Sequence, residues 1–368
     1  MSKVTVLFLG TTGAGPVYSL EMVKAIVALN KYDLQVIISE SLLNREIWEN
    51  ELGESVQLEV VKTYRHTPMG VLFSFLEFWR PLRVINLIKR FKSDFLYLPF
   101  GLVWSPVIFP FLNRDIKIVY TLHDPHPHDE PTNILSGFYD SLERRIRNKY
   151  SSGIVILNNI DKEYVQKNIC PNVRVIPHAS FGYYSIERQA EGNELGKNTI
   201  GFIGRIEPYK GLDLLLEAFH LVKHKGIELL IAGNGSIPEK LLIQINSDKR
   251  ITLINRYIED EEFSMILDKV DFVVLPYKRA SQSGVIPMAF AYGKAVIATN
   301  VGALSEQVPE GTGLIVNPSA QELAYAIDQL YQNGNYVSYG KKAMEYANKY
   351  LTWEYSANSL VEFFNNIQ

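Results

Sequence analysis

Arg205 and Lys210 lie five residues apart in GFIGRIEPYKGLDLLLEAF, between an apolar run ending at Gly204 and a helical pattern starting at Gly211. Two cations beside a helix N-terminus make an anion site, because the unpaired backbone N–H groups add to the cationic field. On a loop of this length they could straddle a diphosphate; two solvated surface cations would be spelled the same way. Farther on, KRASQSGVIPMAFAYG sets Ser281, Gln282, Ser283 and Gly284 ahead of another helix. Their N–H groups and hydroxyls can face a phosphate or cap the helix. Pro287 either kinks that helix or marks its first turn. The loop GTTGAG, residues 10–15, follows an apolar run and precedes a helix. Its glycines allow close backbone approach to a phosphate or sugar, although a tight strand-to-helix turn uses the same residues. The Lys-Ser/Thr of a phosphate loop is missing. Gly10, Gly13 and Gly15 also miss the dinucleotide fingerprint, which disfavours an NAD-dependent enzyme.

His123 closes the run IVYTL and opens HDPHPHDE, with three His and three carboxylates in eight positions. His, Asp and Glu are metal-ligand types. The two prolines extend the run and splay neighbours apart, and no second cluster accompanies it, so a polar loop is the reading preferred to a metal site. Asp124 or Asp129 would accept hydrogen bonds from sugar hydroxyls there. A lone His at a strand end is also an ordinary structural residue.

These residues need a scaffold that ends strands beside one another. Short β-branched runs supply it: VTVLFL, LQVIIS, FLYLPF, IKIVYTL, GIVILN and VRVIP in the first half, then TIGFIG, IELLIAG, ITLIN, FVVLPY, AVIAT and GLIVN. Near-continuous apolar strands belong to parallel sheets covered on both faces. Helical patterns lie between them, one over 211–225 and one carrying Phe263, Ile266, Leu267 and Val270. The fold class is α/β, with two doubly wound parallel sheets built from right-handed βαβ units. The polar stretch 180–198 reads as a linker. The expected domains are 1–185 and 196–351, with a last helix, about 352–368, able to pack back on the first. Ligands of such sheets bind at the carboxyl ends of strands, which puts the expected site in a cleft between the domains.

Composition agrees with a globular chain: 368 residues, 47% hydrophobic and 21% charged, which excludes disorder and collagen-like repeats. A net charge of -3 gives no support to a nucleic-acid partner. The single cysteine, Cys170, rules out an internal disulfide and fits a reducing, cytoplasmic compartment. The apolar stretch FLYLPFGLVWSPVIFPFL is broken by Pro99, Pro106 and Pro110, so strand, loop and helix are expected rather than a membrane span.

The second half resembles the family-4 glycosyltransferases of GT-B fold, with two Rossmann-like domains. The resemblance rests on Gly204, Arg205, Lys210 and Gly211, then IAGNGS, DFVVLPY, AYGKAVIATNVGALSEQV and GTGLIVNP in the family's order. The first half is similar more loosely, through its opening strand and glycine loop, VYTLHD and VRVIPH. The resemblance implies a nucleoside diphosphate sugar donor, retention of anomeric configuration and no bound metal or other cofactor. It implies that Arg205 and Lys210 hold the donor diphosphate, that Gly13 and Gly15 lie near phosphate and acceptor, and that His123 touches the donor sugar. It also places Arg256 and Tyr257 in the base-binding loop. The chain departs from the family at its two glutamates, where Ala280 and Met288 stand. Gln282, Ser283, Gly284 and Glu306 are then the polar residues left to serve the donor, although Glu306 is equally an ordinary cap or surface residue.

The acceptor implied is a glycan or lipid-linked glycan of surface polysaccharide synthesis. A membrane surface enters through 71–92, where five basic residues stand against Glu77, with Phe73, Phe75, Phe78 and Trp79 preceding the helical face Val84, Ile85, Ile88 and Phe91. A basic, aromatic amphipathic segment suits the inner face of a plasma membrane; an ordinary packing helix has the same pattern. A sugar-nucleotide epimerase and a non-catalytic partner subunit are the competing readings.

Overall fold

The computed structural model describes residues 1–43, 45–64, 77–126, 134–180 and 197–367, with backbone alone at 134–136, 260 and 261. The chain divides into two compact units, Met1–Pro177 with Trp353–Gln368, and His178–Thr352. The stretch read as a linker lies, from 181 to 196, outside the described residues, as do 71–76 and 127–133.

The first unit is a parallel sheet of seven strands, ordered β3-β2-β1-β4-β5-β6-β7. They are β1 (Ser2–Phe8), β2 (Tyr32–Ser39), β3 (Gln57–Val61), β4 (Phe95–Leu98), β5 (Lys117–Leu122), β6 (Ser151–Ile156) and β7 (Val173–Val175). The sequence reading missed β3. Its QLEVV carries Gln57 and Glu59 and is half solvated at the sheet edge, so it lacks the apolar run of a covered strand. Helix Trp353–Asn366 belongs to this unit. Phe364 stacks on Phe95 with centroids 4.7 Å apart, and Arg174 pairs with Glu362 at 2.6 Å.

The second unit has six parallel strands, ordered β10-β9-β8-β11-β12-β13. They are β8 (Thr199–Ile203), β9 (Glu228–Ala232), β10 (Ile251–Ile254), β11 (Phe272–Leu275), β12 (Ala295–Thr299) and β13 (Gly313–Val316). Alternate residues point to opposite faces, and both faces are apolar. Ile200, Phe202, Leu229, Ile231, Phe272 and Ile297 pack under Leu215, Phe219, Leu323 and Ile327. Ile203, Leu230, Val273, Leu275 and Val296 pack under Leu267, Ile286, Phe290 and Ala343. Each fully buried Leu, Ile or Phe contributes about 1.5–3 kcal/mol, so this double coverage is what makes the unit a stable platform for its loops.

The helix expected over 211–225 stops at Leu221. The backbone turns extended at Val222, and Asp328 accepts from the N–H groups of Lys223 and His224 at 3.0 and 2.9 Å. A tertiary cap thus ends a helix that its apolar spacing would have continued. Among the described residues no helix is long and apolar enough to cross a membrane.

Candidate functional site

In each sheet the strand order reverses at one place, between β1 and β4 and between β8 and β11. Loops leaving such neighbours part in opposite directions and open a crevice at the carboxyl edge. In the second unit that crevice is a cavity of about 300 Å³, lined by Gly204, Tyr209, Lys210, Phe263, Tyr277, Gln282, Ser283, Gly284, Val285 and Met288. Gly204–Lys210 leave β8; Tyr277–Gly284 leave β11. Five of the residues singled out by sequence therefore meet on one wall: Gly204, Lys210, Gln282, Ser283 and Gly284.

The two loops are tied together from below. Lys278 N–H donates to the Tyr209 carbonyl at 2.7 Å, and the Lys278 ammonium pairs with Asp213 at 2.6 Å. Gly211 turns with φ +71°, and a Cβ there would stand 2.0 Å from the Pro276 carbonyl oxygen. Only glycine permits that approach, which is why the turn Pro208–Lys210 can lie flat against the loop after β11.

Lys210 is half-buried, with Nζ 5.1 Å from the centroid of the Tyr277 ring. Burial holds its ammonium below the usual lysine range, and the Arg205 charge adds to that; Tyr209 and Glu207 act the other way. Burial also pushes the Tyr277 phenol up to about 12, so it stays protonated at neutral pH. A desolvated cation on an aromatic face, with no carboxylate among the lining residues, favours an anionic ligand.

The loop after β11 departs from the expected phosphate cradle. Ser283 N–H donates to Gln307 Oε1 at 2.7 Å, and Val285 N–H donates to Ser283 Oγ at 3.3 Å. Both donors are already paired, one with the helix Leu304–Gln307 and one within the loop. Ser283 Oγ also lies 3.3 Å from the Tyr277 hydroxyl. The helix that follows is Val285–Ala291, and Pro287 falls in its first turn without a kink. Met288, at one of the family's glutamate positions, is 5% exposed and gives the cavity a thioether wall.

Other expected residues stand elsewhere. Arg205 is exposed and is not part of the cavity wall. Arg256 makes a bidentate pair with Glu262, 2.7 Å at each oxygen, and a further bond to the Tyr257 carbonyl. It fixes the start of helix Asp260–Asp268, where Glu259 and Glu262 form a reciprocal cap. Tyr257 is 64% exposed. Glu306 lies in the short helix Leu304–Gln307, outside the cavity lining. Sequence reasoning passed over Tyr209, Phe263, Tyr277 and Gln307. Tyr277 carried a signal, the first residues after a covered strand; Gln307, 24 positions from Ser283, carried none.

In the first unit, Gly13 and Gly15 follow β1 and His123 follows β5. Gly15 opens helix Gly15–Ala28, and a Cβ there would stand 3.2 Å from the Phe8 ring and 3.5 Å from that of Phe100. The His123 ring stacks on Phe100 with centroids 3.8 Å apart and meets Tyr18 edge-on at 4.8 Å. Its Nε2 lies 2.9 Å from the Pro99 carbonyl, which can only accept, so the proton sits on Nε2. Asp124 Oδ1 accepts from His126 N–H at 3.0 Å. The expected hydroxyl acceptor Asp129 lies outside the described residues.

Residues 197–333 match the model of the family described as glycosyl transferases group 1. Over that range the second unit is similar to group 1 glycosyl transferases. The D-inositol 3-phosphate glycosyltransferase of Corynebacterium urealyticum is 30% identical over 194 residues, 49% of this chain and 46% of that one. The GDP-mannose:glycolipid 4-beta-D-mannosyltransferase of Xanthomonas campestris is 31% identical over 114 residues, 29% of this chain and 33% of that one. The chain thus spans under half the length of either relative. Among solved structures, the sucrose-phosphate synthase of Thermosynechococcus elongatus has a TM-score of 0.72 at 17% identity, covering 99% of both chains. Anabaena HepE in complex with UDP has a TM-score of 0.71 at 18% identity, covering 99% of this chain and 100% of that one. The chain has the GT-B fold of these structures, with two parallel α/β sheets.

Proposed function

We propose that this protein is a glycosyltransferase that moves a sugar from a nucleoside diphosphate sugar to a glycan or lipid-linked acceptor in surface polysaccharide synthesis. The observation that carries the reading is Lys210, desolvated over Tyr277 at the β8/β11 switch point of the second unit. Departure of a diphosphate develops negative charge while the anomeric carbon becomes cationic. Lys210 meets that charge in place, with Arg205 adding its field from the exposed side of the same loop. Preorganised charges of this kind need no reorganisation at the moment of reaction. Gln282 supplies a polar edge to the donor where Ala280 and Met288 replace carboxylates, and His123 and Asp124 serve the sugar and acceptor.

The relatives named above act with a GDP-mannose donor in one case, and a solved neighbour holds UDP in another. Both uridine and guanosine diphosphates are therefore in the first panel. Thermal shift with UDP, GDP, dTDP, ADP and CMP tests the reading. A ligand at about 100 times its Kd adds roughly 2.7 kcal/mol, a shift of several degrees. A selective shift with one diphosphate supports the donor site; none with any of them overturns it.

Retention of configuration and independence of added metal belong to the same proposal and rest on the family resemblance. Proton NMR of the product reads the first, and the inverted anomer would refute it. Turnover in EDTA reads the second. The proposed location is the inner face of the plasma membrane. Helix Trp79–Phe91 buries Pro81, Val84, Ile85, Ile88 and Phe91 and leaves Trp79 and Leu82 exposed, with Phe78 just before it and the cations Arg83, Lys89 and Arg90 exposed along it. A helix with exposed aromatics at its start and exposed cations along it suits an anionic interface.

A further inference from the structure

We infer that Gln307 is a positioning residue of the donor site, acting through Ser283 on Gln282 and Gly284; the inference rests on the donor reading above. A primary amide presents one donor and one acceptor side by side, the complement of a peptide edge. Gln307 uses both on a single residue. Its Oε1 accepts from Ser283 N–H at 2.7 Å, and its Nε2 donates to the Ser283 carbonyl at 3.1 Å. Residues 280–284 have no strand or helix to satisfy these groups, so the side chain does what a neighbouring strand would do.

The clamp falls between the two residues that face the ligand. Gln282 lines the cavity, and its Oε1 is buried with no hydrogen-bond partner among the described residues. Gly284 lines it too, and a Cβ there would meet no atom within 4 Å, so the space in front of its backbone is open. Gln307 itself is not in the lining. It is held from its own side by N–H donation to the Ala303 carbonyl at 3.2 Å. A buried amide oxygen without a partner is costly unless a ligand supplies the donor. Sugar and ribose hydroxyls are such donors. Holding Ser283 from both sides fixes the backbone between Gln282 and Gly284, both of which line the cavity with Lys210, where the family's carboxylates are absent.

The experiment compares wild type with Gln307→Ala and Gln307→Glu in the full chain. It reads Ser283 amide exchange, melting temperature, and affinity for whichever nucleoside diphosphate of the panel shifts wild type most. For Gln307→Ala, faster Ser283 exchange is expected together with roughly tenfold weaker binding, about the loss of one or two neutral hydrogen bonds. Gln307→Glu separates positioning from mere packing. Ionised, the carboxylate keeps the acceptor, loses the donor and repels the Ser283 carbonyl, so it binds as weakly as the Ala variant at pH 7.5. Protonated, it is an isostere of the amide, so affinity relative to wild type recovers as pH falls through the carboxyl range, near 4.3 for an unperturbed Glu. Unchanged Ser283 exchange in Gln307→Ala, or altered exchange with nucleotide affinity within about twofold of wild type, overturns the inference and leaves the donor site standing. Wild type that binds no nucleotide overturns both.

Discussion

Lys210 and Tyr277 come from the loops after β8 and β11, and the tertiary fold brings the lysine Nζ to 5.1 Å from the phenol ring centroid. The aromatic face and the surrounding protein replace water around the ammonium, which is why its pKa falls. The charged form is therefore less favourable folded than unfolded, and an incoming anion relieves that cost.

Lys210→Ala is expected to lower kcat/KM by about 10²–10³-fold, the usual effect of removing one preorganised donor to developing charge. Melting temperature is expected to hold or rise, because the desolvated charge is gone. The pH dependence has a fixed sign. A bound diphosphate raises the lysine pKa, so affinity is full below the free-state pKa and falls as pH rises through it. That decline begins earlier than for an ordinary lysine, near 10.4. Lys210→Arg stays ionised and lacks the decline. Calorimetric titration of UDP or GDP between neutral and alkaline pH checks both statements.

Arg256→Ala is expected to leave nucleotide affinity unchanged, because both guanidinium arms are spent on Glu262. The Arg256 hydrogen bonds, with the Glu259 N–H, hold the Glu262 carboxyl down to about 2. A depressed carboxyl pKa stabilises the fold above the unfolded value, about 4.3, and that contribution is lost as pH falls toward 2. Acid unfolding of the variant should therefore lose this component, while its nucleotide titration at neutral pH overlays wild type. A clear loss of affinity would return Arg256 to the base-binding loop.

Gly302→Ala tests the turn that supports the loop after β11. Gly302 has φ +51°, and an added Cβ would stand 1.5 Å from the Ala280 carbonyl oxygen. The backbone must shift, so the cost should exceed the roughly 1 kcal/mol scale of a compatible Gly→Ala change. Because Ala280 leads directly into Ser281–Gly284, nucleotide affinity should fall with stability. Urea midpoints and diphosphate titration are the measurements; a variant that keeps both refutes the coupling.

Phe78→Ser with Trp79→Ser, and separately Lys89→Glu with Arg90→Glu, should each reduce co-sedimentation with anionic phosphatidylglycerol vesicles. The charge variant should lose its effect at high salt, where the Debye length shrinks to about 3 Å at 1 M. Phe78 and Trp79 are exposed, so the aromatic variant should keep its melting temperature; Lys89 and Arg90 lie in the last turn of helix Trp79–Phe91, where the dipole favours cations, so the charge variant should melt slightly lower. Unchanged sedimentation of both variants removes the membrane surface from the proposal.

Much of the scaffold was legible because its signals are local. Period-2 and period-3.6 apolar spacing follows from backbone geometry, and twelve of the thirteen strands among the described residues announce themselves as apolar runs. The edge strand β3, half polar, did not. The β8 loop was legible for the same reason: a strand end, two cations and a glycine lie within eight residues of one another.

The partners of side chains were not legible, because hydrogen bonds and charge pairs across the fold leave no periodicity. The family resemblance placed Arg256 in the base-binding loop, and the tertiary structure pairs it with Glu262. Sequence left the Ser283 N–H for a phosphate, and Gln307 takes it. Sequence could show that Met288 stands where a carboxylate is usual, but only the packing beside Phe263 and Tyr277 makes it a wall of the cavity. By itself the sequence determined two parallel sheets and where cations leave a strand, since these follow from residue type and short-range spacing. Which polar groups are spent internally and which are left to meet a ligand was decided by the tertiary structure, because only folding brings residues such as Gln307 and Ser283 within hydrogen-bond reach.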